Sequence, residues 1–411
     1  MNLNKTQSPL LSIVIPTRNR FEYVKSAITS ILDIEDARIE LVIQDNSDSD
    51  KLKLWLNDNI NDSRLKYNYF DSPLSFVGNF SEGIEASSGE YICIIGDDDG
   101  INPEIISATQ WMKDENIDCL SARISANYVW GDAEVPTTLF TSETGGVLSI
   151  ANLSGEIIQA DPKKELINFI NGGLISYLDF NLPKIYHGIV KIESLNEVKR
   201  ITGSYFGGLS PDIFASISLA CIVKRVFVTD YPLTISGVCG VSASIVEGLL
   251  KKNSKKLEDA PHLRNRGHYE WSELVPRVYC VETIWADSAI SAIKAMGQYN
   301  LLKNVNIPRF AAASINANKG ISKQVKESLE NVSRLRGDSY LKYYIIFCWY
   351  LTVFKFKRIS HLFKRVYNRI LIILGRKHFV SLKGVNNINE ATSILTKYLL
   401  ERNIFFRNSS N

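Results

Sequence analysis

Apolar runs and amphipathic segments alternate along the first hundred residues of the chain. Four apolar runs have the length of buried strands, and they cover residues 11–15, 40–43, 65–70 and 91–95. Segments with a helical spacing of apolar positions lie between them, at residues 21–32, 51–57 and 76–87. This alternation predicts an α/β fold with a doubly wound, mostly parallel sheet and helices on both faces.

Further elements are predicted beyond this region, with less regular spacing. We expect helices over residues 102–118, 162–170, 213–224, 274–296 and 323–335. We expect strands over residues 119–129, 182–190, 226–233 and 235–239. Residues 131–153 and 203–210 are predicted to be loops, and the polar run 251–256 is predicted to be a linker or mobile loop.

Polar clusters follow three of the four first strands, at residues 16–20, 45–48 and 97–99. Ligands bind at the carboxyl ends of the strands in such sheets, so we expect the clusters to meet. Asp97, Asp98 and Asp99 repel one another, and no core would take them unpaired. They form either a solvated turn or one half of a site that holds a cation. Oxygen ligands of this kind suit Mg²⁺ or Mn²⁺ carrying a phosphate.

Two glycine-rich phosphate-binding motifs are absent from the sequence. No Gly-x-Gly-x-x-Gly follows the first strand, and no Gly-x-x-x-x-Gly-Lys-Ser/Thr occurs anywhere. A dinucleotide-dependent dehydrogenase and a P-loop NTPase are therefore disfavoured. The phosphates would have to be held by a metal ion.

Three motifs resemble those of the family 2 glycosyltransferases, which have the GT-A fold. They are Ile-Val-Ile-Pro-Thr-Arg-Asn-Arg at 13–20, Val-Ile-Gln-Asp-Asn-Ser at 42–47, and Ser-Gly-Glu-Tyr at 88–91 leading into the aspartates. Their order and spacing match that family over residues 10–130. The resemblance implies a nucleotide-sugar donor whose diphosphate carries a divalent metal ion.

The resemblance also implies roles for particular residues. Base and ribose would lie against Pro16, Thr17 and Asp45, and the whole nucleotide site would comprise Pro16, Thr17, Arg18, Arg20, Asp45, Asp97 and Asp98. Asp97 and Asp99 would hold Mg²⁺ or Mn²⁺. A UDP-sugar is the default donor, while dTDP, GDP and CDP remain open. Gln44 and Gly96 depart from the family's pattern, because its members often carry aspartates at these positions.

Asp212 has two interpretations that the sequence leaves open. Ser210, Pro211 and Asp212 form a helix-start signal, which alone accounts for the carboxylate. The functional interpretation is a general base kept ionised by the helix N-terminus. The resemblance favours this interpretation, because the family places its base on a carboxylate after the metal motif.

The histidines carry weaker signals. His187 is either a metal or phosphate partner or a hydrogen-bonded structural histidine, and the second interpretation is favoured for a lone histidine. His262 and His268, beside Arg264 and Arg266, either contact a diphosphate or belong to a solvated loop, and the loop is favoured.

Composition adds a compartment and a charge asymmetry. The 411 residues are 45% hydrophobic, which is enough for a sizeable core, and the six scattered cysteines predict reduced, buried thiols in a cytosolic protein. The sequence shows no signal-peptide pattern at its start and no stretch of the ~20 apolar residues that a spanning helix needs. Ten Lys or Arg and no Asp or Glu lie between Ser339 and Asn389, so the total of +3 leaves −7 for the remainder.

Aromatic residues are interleaved with these cations between residues 340 and 379. This pattern predicts an interfacial element that contacts an anionic membrane surface. A helix hairpin packed on the body is the structural alternative. Nucleic acid is disfavoured as a partner, because no nucleic-acid-reading module is present.

These features predict a glycosyltransferase domain over residues 1–245, a helical extension over 246–338 and a membrane-interfacial tail over 339–411. Within the first part, 10–130 is the nucleotide-sugar half and 131–245 the acceptor half. The hypothesis is a metal-dependent, inverting transferase that acts on a lipid-linked oligosaccharide of a bacterial O-antigen or capsule. It would work at the inner face of the cytoplasmic membrane. Two alternatives are a sugar nucleotidyltransferase and a non-catalytic sugar- or lipid-binding scaffold. The nucleotidyltransferase would need a glycine-rich phosphate loop after the first strand. The scaffold would have lost its metal site.

Overall fold

The computed structural model describes residues 8–133, 145–241, 261–373 and 380–407, and the structural statements below concern these residues. The predicted linker at 251–256 lies outside them. The strands are β1 (Leu11–Thr17), β2 (Ile39–Asp45), β3 (Leu65–Tyr69), β4 (Tyr91–Ile94), β5 (Gly100–Ile101), β6 (Cys119–Ala122), β7 (Ala126–Val129), β8 (Val147–Ile150), β9 (Ile157–Ala160), β10 (Gly188–Lys191), β11 (Val226–Thr229), β12 (Thr234–Val238) and β13 (Val380–Lys383). The α-helices are α1 (Phe21–Leu32), α2 (Lys51–Asn59), α3 (Phe76–Glu85), α4 (Ile105–Asp114), α5 (Pro162–Asn171), α6 (Ile192–Thr202), α7 (Pro211–Ile222), α8 (Val281–Ala295), α9 (Ile307–Ala317), α10 (Ser322–Leu335), α11 (Tyr340–Ile373) and α12 (Ile388–Glu401).

The main sheet has eight strands in the order β3-β2-β1-β4-β10-β6-β11-β9. Strands β3, β2, β1 and β4 run parallel to one another, while β10 lies between β4 and β6 and is antiparallel to both. Strand β1 is apolar on both faces, as expected for a strand covered by helices on both sides. The predicted α/β class with a mostly parallel sheet is confirmed.

Two hydrophobic layers cover the sheet. One buries α3 and α5 through α10 with the first half of α11, and the other buries α1, α2, α4 and α12. Val14 faces the first layer and its neighbours Ile13 and Ile15 face the second, which is the alternation of a strand with two covered faces. Helices α8, α9 and α10, which lie in the predicted helical extension, share the first layer with the sheet.

Several predicted elements differ from those observed. The single strand predicted at 119–129 is divided into β6 and β7, because β6 pairs within the main sheet while β7 joins a second sheet, β13-β8-β7-β12-β5. The predicted loop at 131–153 contains β8, whose partner β13 is distant in sequence. The strand predicted at 182–190 begins only at Gly188, after a left-handed residue at His187. The helix predicted at 274–296 begins at Val281, after Pro276.

The last part of the predicted membrane-interfacial tail, residues 339–411, packs on the body of the protein. Strand β13 pairs with β8, and α12 packs against α1 and β5. The buried positions Ile388, Ala391, Leu395 and Leu399 recur at helical spacing on one face of α12. Residues 340–373 form one 34-residue helix rather than a hairpin. No helix in the described ranges combines the length and the apolar character that crossing a membrane requires.

Candidate active site

The three polar clusters predicted at strand ends meet at one edge of the main sheet. Thr17 ends β1 and lies in register with Asp45, which ends β2. The Thr17 hydroxyl donates a hydrogen bond of 2.7 Å to Oδ2 of Asp97, beyond the end of β4. The parallel arrangement of β2, β1 and β4 therefore brings together residues that are 80 positions apart in the chain.

The aspartate turn is buried, which contradicts the alternative of a solvated acidic turn. Asp97, Asp98 and Asp99 are only 2, 5 and 1% exposed. The guanidinium of Arg20, just before α1, contacts Oδ1 of Asp97 and lies 3.5 Å from Oδ1 of Asp98. Burial raises the pKa of Asp97 to about 7 against the opposing effect of Arg20. Arg20 thus offsets only part of the effect of burial on the pKa of Asp97.

The other predicted nucleotide-binding residues surround the ends of β1 and β2. The carboxylate of Asp45 is buried and accepts hydrogen bonds from the Tyr67 hydroxyl (2.9 Å) and the backbone N–H of Ser47 (2.8 Å). Pro16 is half-buried within β1. The guanidinium of Arg18 points outward and binds Asp48 at 2.8 Å. A cleft of about 260 Å³ opens beside them, and its lining includes Thr17, Asn19, Phe21, Ser47 and Lys51.

Both carboxylate oxygens of Asp99 accept hydrogen bonds from the protein. Its Oδ1 accepts the backbone N–H of Gly237 at 2.6 Å, and its Oδ2 accepts the N–H of Gly96 at 2.6 Å and the hydroxyl of Tyr186 at 2.9 Å. Nε2 of His187 lies 3.2 Å from the same Oδ2. Burial alone would raise the pKa of Asp99, but His187 and the two backbone N–H groups outweigh it and hold the pKa below its usual range.

Gly96 and Gly237 leave room for this turn, and sequence reasoning missed the second of them. A Cβ on Gly96 would lie 2.7 Å from the Tyr186 hydroxyl, so the tyrosine occupies the space that a larger residue would need. A Cβ on Gly237 would lie 1.8 Å from the carbonyl oxygen of Asp98. Nε1 of Trp130 donates to that same carbonyl at 3.0 Å. The turn is therefore held by Trp130, which follows β7, and by Gly237 in β12, and no sequence motif marks either residue.

The structural interpretation of His187 agrees with its surroundings. Its Nδ1 is 2.9 Å from the Thr234 hydroxyl and its Nε2 faces Asp99, so both ring nitrogens have protein partners. The side chain of His262 is not solvated, because it stacks edge-on against Phe76 and its Nδ1 is 3.1 Å from the Tyr279 hydroxyl. Burial lowers the pKa of His262 to about 4, so this imidazole is neutral at pH 7. His268 and Arg264 are exposed, as the loop interpretation predicts, while Arg266 is half-buried beside Tyr269.

Asp212 lies in the first turn of α7, as predicted, but the cap works differently. The Ser210 hydroxyl donates to the carboxylate of Asp212, and its oxygen accepts no backbone N–H of the helix among the described contacts. Burial raises the pKa of Asp212, and Ser210 and the backbone N–H of Ile213 oppose this effect. The backbone N–H groups at the start of α7 thus favour the ionised carboxylate, while burial, the larger effect, opposes them.

The segment 182–188 links Asp212 to the aspartate turn. Lys184 lies close enough to Asp212 to favour its ionised form, and two residues further on Tyr186 binds Asp99. The loop before α7 is fixed by Ser288 of α8, whose hydroxyl oxygen accepts the backbone N–H groups of Leu209 (3.0 Å) and Ser210 (2.9 Å). The candidate base and the candidate metal site thus flank one short segment.

The carboxyl edge of the main sheet brings together Thr17, Asp45 and the aspartate turn. This is the arrangement expected of a glycosyltransferase that uses nucleotide sugars. Residues 12–160 match the model of Glycosyl transferase family 2. The resemblance inferred from the motifs is confirmed for this segment, and so is the enzyme class of the domain it forms, a glycosyltransferase.

A relative and two solved structures are similar to this chain. The GalNAc(5)-diNAcBac-PP-undecaprenol beta-1,3-glucosyltransferase of Campylobacter jejuni is 34% identical over 96 residues, which is 22% of this chain and 30% of the relative. The match therefore spans less than a third of that relative's length. S. aureus TarS 1-349 with UDP-GlcNAc is 16% identical, covers 80% of this chain and 93% of its own, and has a TM-score of 0.41. The same fragment with UDP is also 16% identical, covers 80% of this chain and 92% of its own, and has a TM-score of 0.40.

Proposed function

We propose that this chain is a metal-dependent, inverting glycosyltransferase that moves a sugar from a nucleotide-sugar donor to a hydroxyl of a lipid-linked glycan. The observation that carries the proposal is the meeting of Thr17, Asp45 and Asp97 at one sheet edge, inside the segment that the family model matches. The substrate in the name of the Campylobacter relative, which is linked to undecaprenol, supports a lipid-linked acceptor in bacterial surface-polysaccharide synthesis.

The carboxylates fit a divalent metal unequally. Oδ1 of Asp97 accepts from Arg20 and Oδ2 accepts from Thr17, so each oxygen retains a lone pair among the described contacts. Oδ2 of Asp99 already receives three protein donors. No group of three or more His, Cys, Asp or Glu side chains in the described ranges is arranged to hold a metal. Mg²⁺ needs only one or two carboxylates when phosphate oxygens complete its shell.

In this proposal Asp97 holds Mg²⁺ or Mn²⁺ together with the donor diphosphate. The ion, when bound, neutralises the charge that develops on the leaving nucleotide. Asp99, predicted as a second ligand, is proposed here to fix the turn that presents Asp97 and Asp98. Arg20 is paired with Asp97, and its guanidinium can pair with the donor diphosphate when it separates from that carboxylate.

The acceptor is activated by Asp212 in this mechanism. Its carboxylate takes the proton from the acceptor hydroxyl as that oxygen attacks the anomeric carbon. Attack on the face opposite the leaving nucleotide inverts the configuration, through an oxocarbenium-like transition state. Ser288 and Ser210 hold the start of α7, so the carboxylate keeps its orientation while the bond forms.

Donor hydrolysis by the purified protein, measured across a panel of nucleotide sugars with Mn²⁺ or with a chelator, tests the reaction class. Release of a nucleoside diphosphate identifies a glycosyltransferase. A nucleotidyltransferase would instead consume added pyrophosphate and convert the nucleotide sugar into a nucleoside triphosphate and a sugar 1-phosphate. Calorimetry with Mn²⁺ and UDP separates both from a scaffold, which should show no metal-dependent nucleotide binding.

Two variants assign the residues. Asp97→Asn should lower Mn²⁺-dependent UDP affinity more than tenfold, and Asp58→Asn, on the exposed face of α2, is the matched control. Asp212→Asn should lower kcat by roughly 10²–10⁴ with UDP affinity unchanged. Because burial raises the pKa of Asp212, the acid limb of kcat should lie above the pH expected for an ordinary aspartate, and the variant should lose that limb. A transferase with wild-type kcat in both variants would contradict the assignment.

A further inference from the structure

The long helix α11 carries apolar side chains on two different faces. Tyr343 and Phe347 are buried, and Tyr350 and Phe354 pack against the same hydrophobic layer. These four positions lie on the face that α11 presents to α9 and α10. The Tyr350 hydroxyl accepts a hydrogen bond of 3.0 Å from Asn306, which anchors this face to the body.

The other face is an exposed apolar stripe, which we call the α11 stripe. Its members are 60–71% exposed, and they are Leu341, Ile345, Trp349, Phe356, Phe363 and Tyr367. At about 100° per residue their spacings of four and seven positions keep them within an arc of about 80°. The packed residues lie on roughly the opposite side of the helix, so the body does not cover the stripe.

Beyond Phe354, none of the α11 side chains that the structure describes is buried. Every side chain from Lys355 to Ser360 is exposed, and so are Phe363 and Tyr367. The stripe from Leu341 to Tyr367 is about 40 Å long at 1.5 Å per residue. A soluble surface rarely leaves so large an apolar stripe without a partner.

The charges beside the stripe select the kind of partner. Lys355 is exposed about 40° from the edge of the stripe, and Lys357 and Arg358 are exposed further round the helix, about 80° and 100° from its two edges. No Asp or Glu occurs between Ser339 and Asn389. A second copy of α11 would bring these cations together without acidic groups to pair them. An anionic lipid surface pairs with the cations and takes up the aromatic rings at its headgroup level.

We propose that the α11 stripe is the surface that docks this protein on an anionic membrane, with Trp349 and the phenylalanines in the interface and Lys355, Lys357 and Arg358 against lipid headgroups. The inference rests on the proposed function for the reason to be at a membrane, because it places the sheet edge near a lipid-linked acceptor.

The test uses the full chain and vesicles of phosphatidylcholine with 30% phosphatidylglycerol by design, compared with phosphatidylcholine alone. Trp349→Ser/Phe356→Ser/Phe363→Ser should lower the partition coefficient more than roughly 100-fold. Replacing Lys355, Lys357 and Arg358 with alanine should cost roughly 100-fold on anionic vesicles and little on neutral ones, at about fivefold per cation. Leu54→Ser/Leu178→Ser, at two other exposed apolar positions, is the control and should bind as wild type.

Three outcomes would overturn the docking surface. They are wild-type protein that ignores anionic vesicles, stripe variants that bind undiminished, and dimerisation in solution that only the stripe variant loses. Donor hydrolysis measured without vesicles separates the two proposals. Hydrolysis that fails in every protein while vesicle binding follows the stripe would refute the transferase and leave the docking surface standing.

Discussion

Replacing Asp99 with alanine should destabilise the protein, because the structure makes this carboxylate a buried acceptor rather than an open strand-end ligand. The substitution removes the acceptors of the Gly96 and Gly237 N–H groups and of the Tyr186 hydroxyl, and it also removes the partner of His187. These partners come from three separate parts of the chain. The turn, the segment 182–188 and β12 would therefore lose a common anchor.

The size of the effect follows from the bonds that are lost. Hydrogen bonds to a charged group contribute about 1.5–3 kcal/mol each, but they share one carboxylate and are not additive. Removing one partner from a buried charged pair costs about 3–5 kcal/mol. We expect Asp99→Ala to lose about 3–5 kcal/mol of unfolding free energy, while Asp58→Ala on the surface of α2 should stay within about 0.5 kcal/mol.

Urea unfolding followed by circular dichroism measures this loss, with Tyr186→Phe and the double variant completing a cycle. The coupling between Asp99 and Tyr186 should be about 1.5–3 kcal/mol, the range for a charge-assisted hydrogen bond. If Asp99→Ala unfolds like wild type and loses only metal-dependent UDP binding, Asp99 is a ligand and the structural argument is refuted.

Three further results are expected. Burial raises the pKa of Asp287 to about 6, so this carboxyl group should lower stability by up to about 3 kcal/mol as the pH rises from 4 through 6. Asp287→Asn should remove this share of the pH dependence in urea titrations at several pH values, while the share of Asp97 remains; a pH dependence equal to that of wild type would show that Asp287 does not contribute. Gly237→Ala should cost about 1–3 kcal/mol in urea unfolding because its Cβ would meet the Asp98 carbonyl, whereas Gly131→Ala, with open space around its Cβ, should be neutral; equal stabilities would contradict the clash. Truncation after Lys383 removes α12 and should give aggregated protein in size-exclusion chromatography, unlike truncation after Arg407; a soluble, monomeric product of the first truncation would show that α12 is dispensable.

The sequence was most informative where function depends on local order. The strands, the helices between them and the polar residues at the strand ends are each encoded within a few positions, and the rule for parallel sheets then predicts that Thr17, Asp45 and Asp97 converge. The start of α7 was equally local, so Asp212 was located correctly. The effect of burial on the pKa of Asp212 was not predicted, because burial depends on packing that no short segment encodes.

The supports of the site come from distant parts of the chain and carry no motif. Trp130 and Gly237 hold the aspartate turn through a backbone carbonyl and a backbone N–H, which any residue pattern could provide. The identity of Gly96 became intelligible only when Tyr186 was found in the space beside it. The pairing of β8 with β13 was unpredictable for the same reason, since about 230 residues separate the partners.

That pairing also has a consequence for how the protein is made. A ribosome adds about 5–20 residues per second, so β8 waits roughly 10–50 s before β13 emerges. During this interval the apolar side chains of α1 and β5 that α12 later covers remain in contact with water. Closing so long a loop is slow compared with forming local helices. The nascent chain should therefore depend on chaperones until its final residues leave the exit tunnel.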